Sequence, residues 1–335
     1  MTTYWRAIPS VDSAKPSGAR PLAGGWAWFD RAERLTRETS EIVGLDDVPK
    51  AILTAMSAPR PDLAGLSLDQ PRLMGILNTT PDSFSDGGRF DGQLEAVDHA
   101  RAIVAAGADI IDIGGESTRP GAEEVAIDAE ISRTRPVIEA LRAEGIPLSL
   151  DTRKSAVAKA GVAVGVAILN DVSGLRFDPL LADVAAQTGA PLVLMPSLST
   201  PETMQSEAAT AYGNVLLDVY DGLAAAIALA EAAGVARSQI VVDPGIGFGK
   251  TQEQNLALIR RLSLFHSLGC AILLGVSRKG FIGTIGQQPQ ADRRGPGSAS
   301  IGLWALGQGV QILRVHDIAL HKQAIALWRA ALPHQ

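Results

Sequence analysis

The chain has 335 residues, 46% hydrophobic and 20% charged, enough apolar material for a large core and too much for overall disorder. Its 30 Lys and Arg against 36 Asp and Glu give a net charge of -6, which argues against nucleic-acid or anionic-membrane binding driven by overall charge. The lone cysteine, Cys270, allows neither an intrachain disulfide nor a thiolate metal cluster; without a secretory leader at MTTYWRAIPS or an apolar run of about 18 residues, the chain reads as soluble and cytoplasmic.

Residues 1–70 hold three of the five tryptophans, Trp5, Trp26 and Trp28, among clustered glycines and prolines, with one short helix expected from Asp47 to Met56. They read as an N-terminal extension packed on the rest. From residue 71 to 335 short apolar runs alternate with Ala-rich segments of helical period. Strands are expected at Leu73 to Leu77, Ile110 to Ile113, Pro147 to Leu150, Val166 to Leu169, Pro191 to Met195, Ile240 to Val242, Ala271 to Leu274 and Gln311 to Val315. Helices are expected at Gly92 to Ala106, Ala122 to Ala143, Ser155 to Ala163, Pro179 to Gln187, Leu216 to Ala233, Gln252 to Leu268, Ser298 to Gln308 and Ile318 to Ala331. Eight such pairs predict an α/β fold of the (β/α)8 TIM-barrel type, which typically takes about 250 residues.

Polar residues recur directly after these strands. Asn78 follows the first, Asp112 and the Gly114 to Gly121 loop close the second, Asp151 the third, Asn170 and Asp171 the fourth, and Asp243 the sixth. Ser277 to Lys279 follow the seventh, and Arg314 with His316 end the eighth. One Asp or Asn at such a position is an ordinary helix cap. Seven positions together point to a site, because the C-terminal ends of barrel strands share one mouth.

The first loop, Asn78 to Gly88, is longer than the roughly two to six residues usual between strand and helix, which suits a lid. In the second, a cation and two hydroxyls stand among glycines, as close approach to an anion requires. Asp243-Pro244-Gly245-Ile246-Gly247-Phe248-Gly249-Lys250-Thr251 looks like a phosphate-binding P-loop, but Pro244 occupies the place of its first glycine and supplies no N–H. There is no Gly-x-Ser-x-Gly elbow, and the five histidines include no i,i+4 pair for a helix-borne zinc. Lys279 could serve as a Schiff-base lysine, although its neighbours suit a charged hydrogen-bond donor better.

The motifs together resemble those of dihydropteroate synthases. The matching text is Met74 to Asn78 with Thr80 to Gly88, then Gly114 to Gly121, Leu150-Asp151-Thr152, Leu169-Asn170-Asp171, Asp243 to Lys250, Ser277-Arg278-Lys279, Arg294 with Gly297-Ser298, and Arg314 to Asp317. The resemblance implies a transferase of folate biosynthesis and sulfonamide target that condenses 6-hydroxymethyl-7,8-dihydropterin diphosphate with p-aminobenzoate. It further implies that Asp151, Asn170, Asp243 and Lys279 hold the pterin, with Met195, Phe248 and a stacking Arg314 around it. Arg314 and His316 would hold phosphate oxygens and Asn78 a Mg2+ cofactor. Thr118 and Arg119 complete the second loop, Phe84, Pro120 and Ser277 border the aminobenzoate, and a homodimer is implied. The expected catalytic groups are Asp151, Arg119 and Lys279.

These residue types suit that chemistry independently. A pterin edge offers donors and acceptors that carboxylates, an amide and an ammonium can pair. Diphosphate leaves once its charge is neutralised, and Asp151 would stabilise the cation left behind. Two departures stand out: Pro196 occurs where the family commonly has His, and residues 1–70 lie outside the common core. The competing readings are a methyltetrahydrofolate-binding methyltransferase, which has no use for anion sites at Arg119 and His316, and a non-catalytic pterin-binding protein.

Overall fold

The computed structural model describes residues 2–79, 89–117, 122–196 and 212–332. Short hairpins open the chain. Strands β1 (Tyr4–Ala7), β4 (Arg31–Leu35) and β5 (Ser40–Gly44) form an antiparallel sheet in the order β1-β4-β5, and β2 (Arg20–Pro21) pairs with β3 (Trp28–Phe29). Helix α1 (Lys50–Ser57) follows. None of these strands was expected. They are two to five residues long, and in β4 the burial pattern sets exposed Arg31 and Arg34 beside buried Ala32, Glu33 and Leu35, a rhythm too brief to stand out.

The remaining strands are β6 (Arg72–Asn78), β7 (Ile110–Gly114), β8 (Leu148–Asp151), β9 (Ile168–Asp171), β10 (Leu192–Leu194), β11 (Ile240–Val242), β12 (Ala271–Leu274) and β13 (Ile312–Val315). They close into a parallel eight-stranded barrel, with β13 pairing β6. Around it run α2 (Arg89–Ala105), α3 (Ile127–Leu141), α4 (Ser155–Val164), α5 (Leu180–Thr188), α6 (Val215–Ala232), α7 (Gln252–Arg260), α8 (Gly280–Ile285), α9 (Gly295–Gly307) and α10 (Ile318–Ala331). This is the TIM barrel the alternation predicts.

Two helices differ from expectation. The segment expected as one helix from Gln252 to Leu268 breaks at Arg261, where φ is -131°, and continues as a 3-10 segment, Leu262–Leu268, every residue of which is buried. A capping box fixes the start of α7: the Thr251 hydroxyl accepts from the Gln254 N–H, and the Gln254 side chain accepts from the Thr251 N–H. Helix α8 was not expected, because its six residues between glycines carry no helical period.

Two apolar layers hold the barrel. Outward side chains such as Leu77, Ile111, Leu150, Leu194 and Leu274 pack beneath the helices, all buried. Inside the lower half, Met74, Ile110, Ile168, Val193, Val241, Leu273 and Ile312 meet Leu63 and Leu68 of the segment before β6. That segment, folded on a bridge between Leu63 and Leu66, plugs the barrel floor. The rest of residues 2–70 lies against the outer helices. Tyr4 donates its hydroxyl to Asp221 of α6 at 2.9 Å, and the Trp26 indole donates to the Leu306 carbonyl of α9 at 2.7 Å. The buried Arg60 guanidinium joins two helix C-termini, donating to the Ala55 carbonyl at 2.8 Å and the His266 carbonyl at 3.1 Å. Among the described residues no helix is long and apolar enough to cross a membrane.

Candidate active site

Side chains on a strand alternate in direction, so the residues two and four positions above the inward Met74, Ile110, Ile168, Val193, Val241 and Ile312 also face the barrel axis. They are Ile76 and Asn78, Asp112 and Gly114, Asn170, Met195, Asp243, and Arg314 with His316. The polar residues thus sit on the last inward positions of the strands and just beyond. Asn78 pairs in register with Gly114, Gly114 with Asp151, and Asp151 with Asn170. A Cβ placed on Gly114 would lie 3.7 Å from Asn78 Oδ1 and 3.7 Å from Asp151 Cβ. Glycine here leaves the space between an amide and a carboxylate open.

A shared cation organises this half of the mouth. Arg314 donates from Nε to Asp112 Oδ2 at 2.6 Å and from Nη2 to Asp151 Oδ2 at 2.8 Å. Asn170 donates from Nδ2 to the same Asp112 oxygen at 3.1 Å. Asp112 is 0% exposed. Burial pushes the Asp151 carboxyl up to about 7, with Arg314 pulling it down and Asp112 pushing it further up. Burial works against the charged Arg314 as well, but Asp112 and Asp151 outweigh it and raise the guanidinium above its ordinary value.

The opposite half is built on the loop after β11. Asp243 accepts the Gly245 N–H at 2.8 Å. Burial raises its carboxyl, while that N–H and the charges of Lys279, Arg314 and Lys250 hold it down. The Lys279 ammonium lies 3.9 Å from the centre of the Phe248 ring, a cation–π contact. Gly247, at φ +80°, lets the loop pass so close that a Cβ would come within 2.7 Å of Lys279 Cδ. Lys250 donates to the carbonyls of Gly245 at 2.8 Å and Phe248 at 3.0 Å, and burial pulls its ammonium down to about 7. Met195 is buried against the same turn, since a Cβ on Gly245 would lie 3.0 Å from Met195 Cγ and 3.3 Å from Lys250 Nζ.

The turn after β12 is held from three sides. Arg278 has φ +60°, an uncommon value for a residue with a side chain. Its N–H donates to Ser298 Oγ, its carbonyl accepts from Arg294, and its guanidinium pairs twice with Asp317. This fixes Ser277 and Lys279 on either side. Ser277 Oγ accepts the His316 N–H at 3.1 Å and lies 3.0 Å from His316 Nδ1. Burial, helped by the charges of Arg278 and Arg314, pulls His316 down to about 4, so the imidazole is neutral at pH 7.

Behind β7 and β8 lies a buried clasp. Lys154 donates to Glu116 at 2.9 Å, to Glu130 at 2.8 Å and to the Val125 carbonyl at 2.7 Å, while Glu116 accepts the Val125 N–H at 2.8 Å and pairs with Arg153. It joins the main chain on both sides of the second loop to the end of β8.

Residues 74–316 match the family described as pterin binding enzymes. A dihydropteroate synthase of Synechocystis sp. is 47% identical over 262 residues, 77% of this chain and 90% of that protein. The chain belongs to the dihydropteroate synthase family. The solved Xanthomonas albilineans dihydropteroate synthase with 4-aminobenzoic acid is 42% identical, with a TM-score of 0.76 over 82% of this chain and 99% of that one. The enzyme of the same organism in complex with 7,8-dihydropteroate is 37% identical, with a TM-score of 0.71 over 82% of this chain and all of that one.

Of the residues that the dihydropteroate synthase resemblance singles out, Asp151, Asn170 and Arg314 meet around Asp112, while Asp243, Met195, Phe248 and Lys279 surround the loop after β11. Asn78 stands across Gly114 from Asp151, and Ser277 with His316 forms a third group. Phe84, Thr118, Arg119 and Pro120 lie outside the described residues. Sequence reasoning placed Asp112 among the strand-end polar residues but named no ligand role for it, and it gave none to Lys250, Glu116 or Lys154. For Asp112 a signal existed: it stands two residues before Gly114, hence on the inward face of β7.

Proposed function

We propose that the chain condenses 6-hydroxymethyl-7,8-dihydropterin diphosphate with p-aminobenzoate, giving 7,8-dihydropteroate and diphosphate in folate biosynthesis. The observation that carries this reading is the mouth itself, where Asp151, Asn170, Asp243 and Lys279 present alternating acceptors and donors beside the half-buried Arg314. A flat heteroaromatic with its own row of donors and acceptors suits that array, and the Arg314 guanidinium plane suits its face.

In the reaction the bond between the pterin methylene carbon and the diphosphate oxygen breaks, and the oxygen keeps the electron pair. Positive charge spreads from the methylene into the pterin. Ionised Asp151 faces that charge, and the arylamine nitrogen then bonds the methylene carbon and gives up one proton to water or the departing diphosphate. Neutral His316, oriented by Ser277, donates from its ring N–H to a phosphate oxygen, and Arg314 and Arg119 supply positive charge to the leaving group. Thr118, Phe84 and Pro120 complete the walls in this reading. Ser277 borders the aminobenzoate.

Asn78 offers one hard oxygen at the mouth, and the described residues hold no cluster of three His, Cys, Asp or Glu that could grip a metal by itself. Such a donor set fits Mg2+, which keeps most of its coordination for water and phosphate oxygens. When bound, Mg2+ would offset the negative charge of the diphosphate. The reading also takes the enzyme as a cytoplasmic homodimer. Its unpaired, buried Cys270 suits a reducing compartment, and exposed Trp304 and Leu327 on the adjoining α9 and α10 offer an apolar face to a second copy.

The deciding assay supplies the pterin diphosphate, Mg2+ and p-aminobenzoate and measures diphosphate. Release that depends on the arylamine is expected. Pterin binding without release would favour a non-catalytic binder, and methyl transfer from a methylated folate would favour the alternative enzyme.

A further inference from the structure

Asp112 has a position that neither helix capping nor core packing explains. It is fully buried on the inward face of β7, one residue pair deeper than the Gly114, Asp151 and Asn170 line, and it pairs in register with Ser149. One of its oxygens, Oδ2, takes both Arg314 Nε at 2.6 Å and Asn170 Nδ2 at 3.1 Å, while Oδ1 has no hydrogen-bond partner among the described residues. Arg314 has two carboxylate partners, Asp112 beneath and Asp151 at the rim. Two carboxylates and one guanidinium leave one negative charge over. Because the fully buried Asp112 takes the shorter pairing, the surplus of the ionised site falls on Asp151 at the rim.

We propose that Asp112 is a positioning residue. It fixes the planes of the Arg314 guanidinium and the Asn170 amide where they receive the pterin, and it gives Arg314 a buried carboxylate partner so that Asp151 can face the substrate. This rests on the functional reading above. A purely structural Asp112 would affect stability and leave ligand affinity alone. A positioning Asp112 must act on the pterin diphosphate and not on the arylamine, since neither of its two partners borders the arylamine in that reading.

The test compares wild type, Asp112→Asn and, should that variant be insoluble, the smaller Asp112→Ser. Calorimetry with the pterin diphosphate, steady-state kinetics with p-aminobenzoate at saturating pterin, and thermal melting are recorded for each. The expected result is pterin affinity weakened by about ten- to hundredfold, as for loss of hydrogen bonds to a charged group, with the KM for p-aminobenzoate within about twofold. In an Asn170→Ala background the same substitution should weaken pterin binding clearly less than it does in the wild type, because the two residues act through one contact. A lower Tm with unchanged pterin affinity would overturn the proposal, as would additive effects in the double variant. Failure of the wild type to release diphosphate would overturn the functional reading instead, and pterin calorimetry would still decide the role of Asp112.

Discussion

Asp151 lets the electrostatics of the mouth be read in solution. Its carboxyl stands at about 7 in the folded chain, raised chiefly by burial, against 3.8 for the free group. Between pH 4 and 7 the folded protein therefore holds a proton that the unfolded chain has released, and this contribution to stability falls as pH rises through that window. Asp151→Asn, which mimics the neutral form, should melt about 3 °C or more above wild type at pH 8 and at the same temperature at pH 4. Activity runs the other way. Only ionised Asp151 can stabilise a cation, so kcat/KM should fall on the acid side with a midpoint near 7, and Asp151→Asn should remove that limb of the profile. Asp243 offers a second check: Asp243→Asn should weaken pterin binding by roughly 2 to 5 kcal/mol, measured by calorimetry, if it breaks a buried charged contact. These residues were legible in the sequence because each ends a strand in a repeated pattern. Asp112 was legible as one of these positions but its role was not, since its partners, Arg314 and Asn170, are 202 and 58 residues away.

The buried clasp and the turn after β12 show how whole elements are tied to the mouth. Lys154 is 3% exposed and pairs with both Glu116 and Glu130, the latter 0% exposed, while Arg153 also pairs with Glu116. Lys154→Met would leave two buried carboxylates without this cation and should cost about 3 to 5 kcal/mol in chemical denaturation. Lys154→Met combined with Glu130→Gln should recover part of that loss, and failure to do so would show that packing and not charge sets the cost. The turn at Arg278 makes a different demand, because φ +60° suits glycine and strains a β-branched residue. Arg278→Gly should fold yet lose the Asp317 pairing, whereas Arg278→Val should melt lower than Arg278→Gly. At this scale the sequence was a partial guide. Strands and most helices followed from hydrophobic period, but the break at Arg261 did not, because Leu262, Leu264, Phe265 and Leu268 continue an apolar pattern that a buried 3-10 segment satisfies as well as a helix does.

Across the whole molecule, residues 2–70 meet the barrel at its outer helices and at its floor. Their strands were invisible to pattern reading because so few residues carry each one, while the tryptophans did mark them as packed: Trp26 stands edge-on to Trp328 of α10. Removing residues 1–60 should lower the melting temperature, and removing 1–70 should lower it further, since only the longer deletion takes away Leu63 and Leu68 from Met74, Ile110 and Ile312. Any folded fraction of either truncation should keep the wild-type KM for both substrates, and a changed KM would give the extension a part in chemistry. The apolar plug has a further consequence for traffic. A barrel sealed at one end is a blind tube, so whatever enters deepest must leave last and by the way it came. In the proposed reading the pterin lies below the arylamine, so it must load first, and diphosphate and product must both leave through the one open mouth before the next pterin can enter.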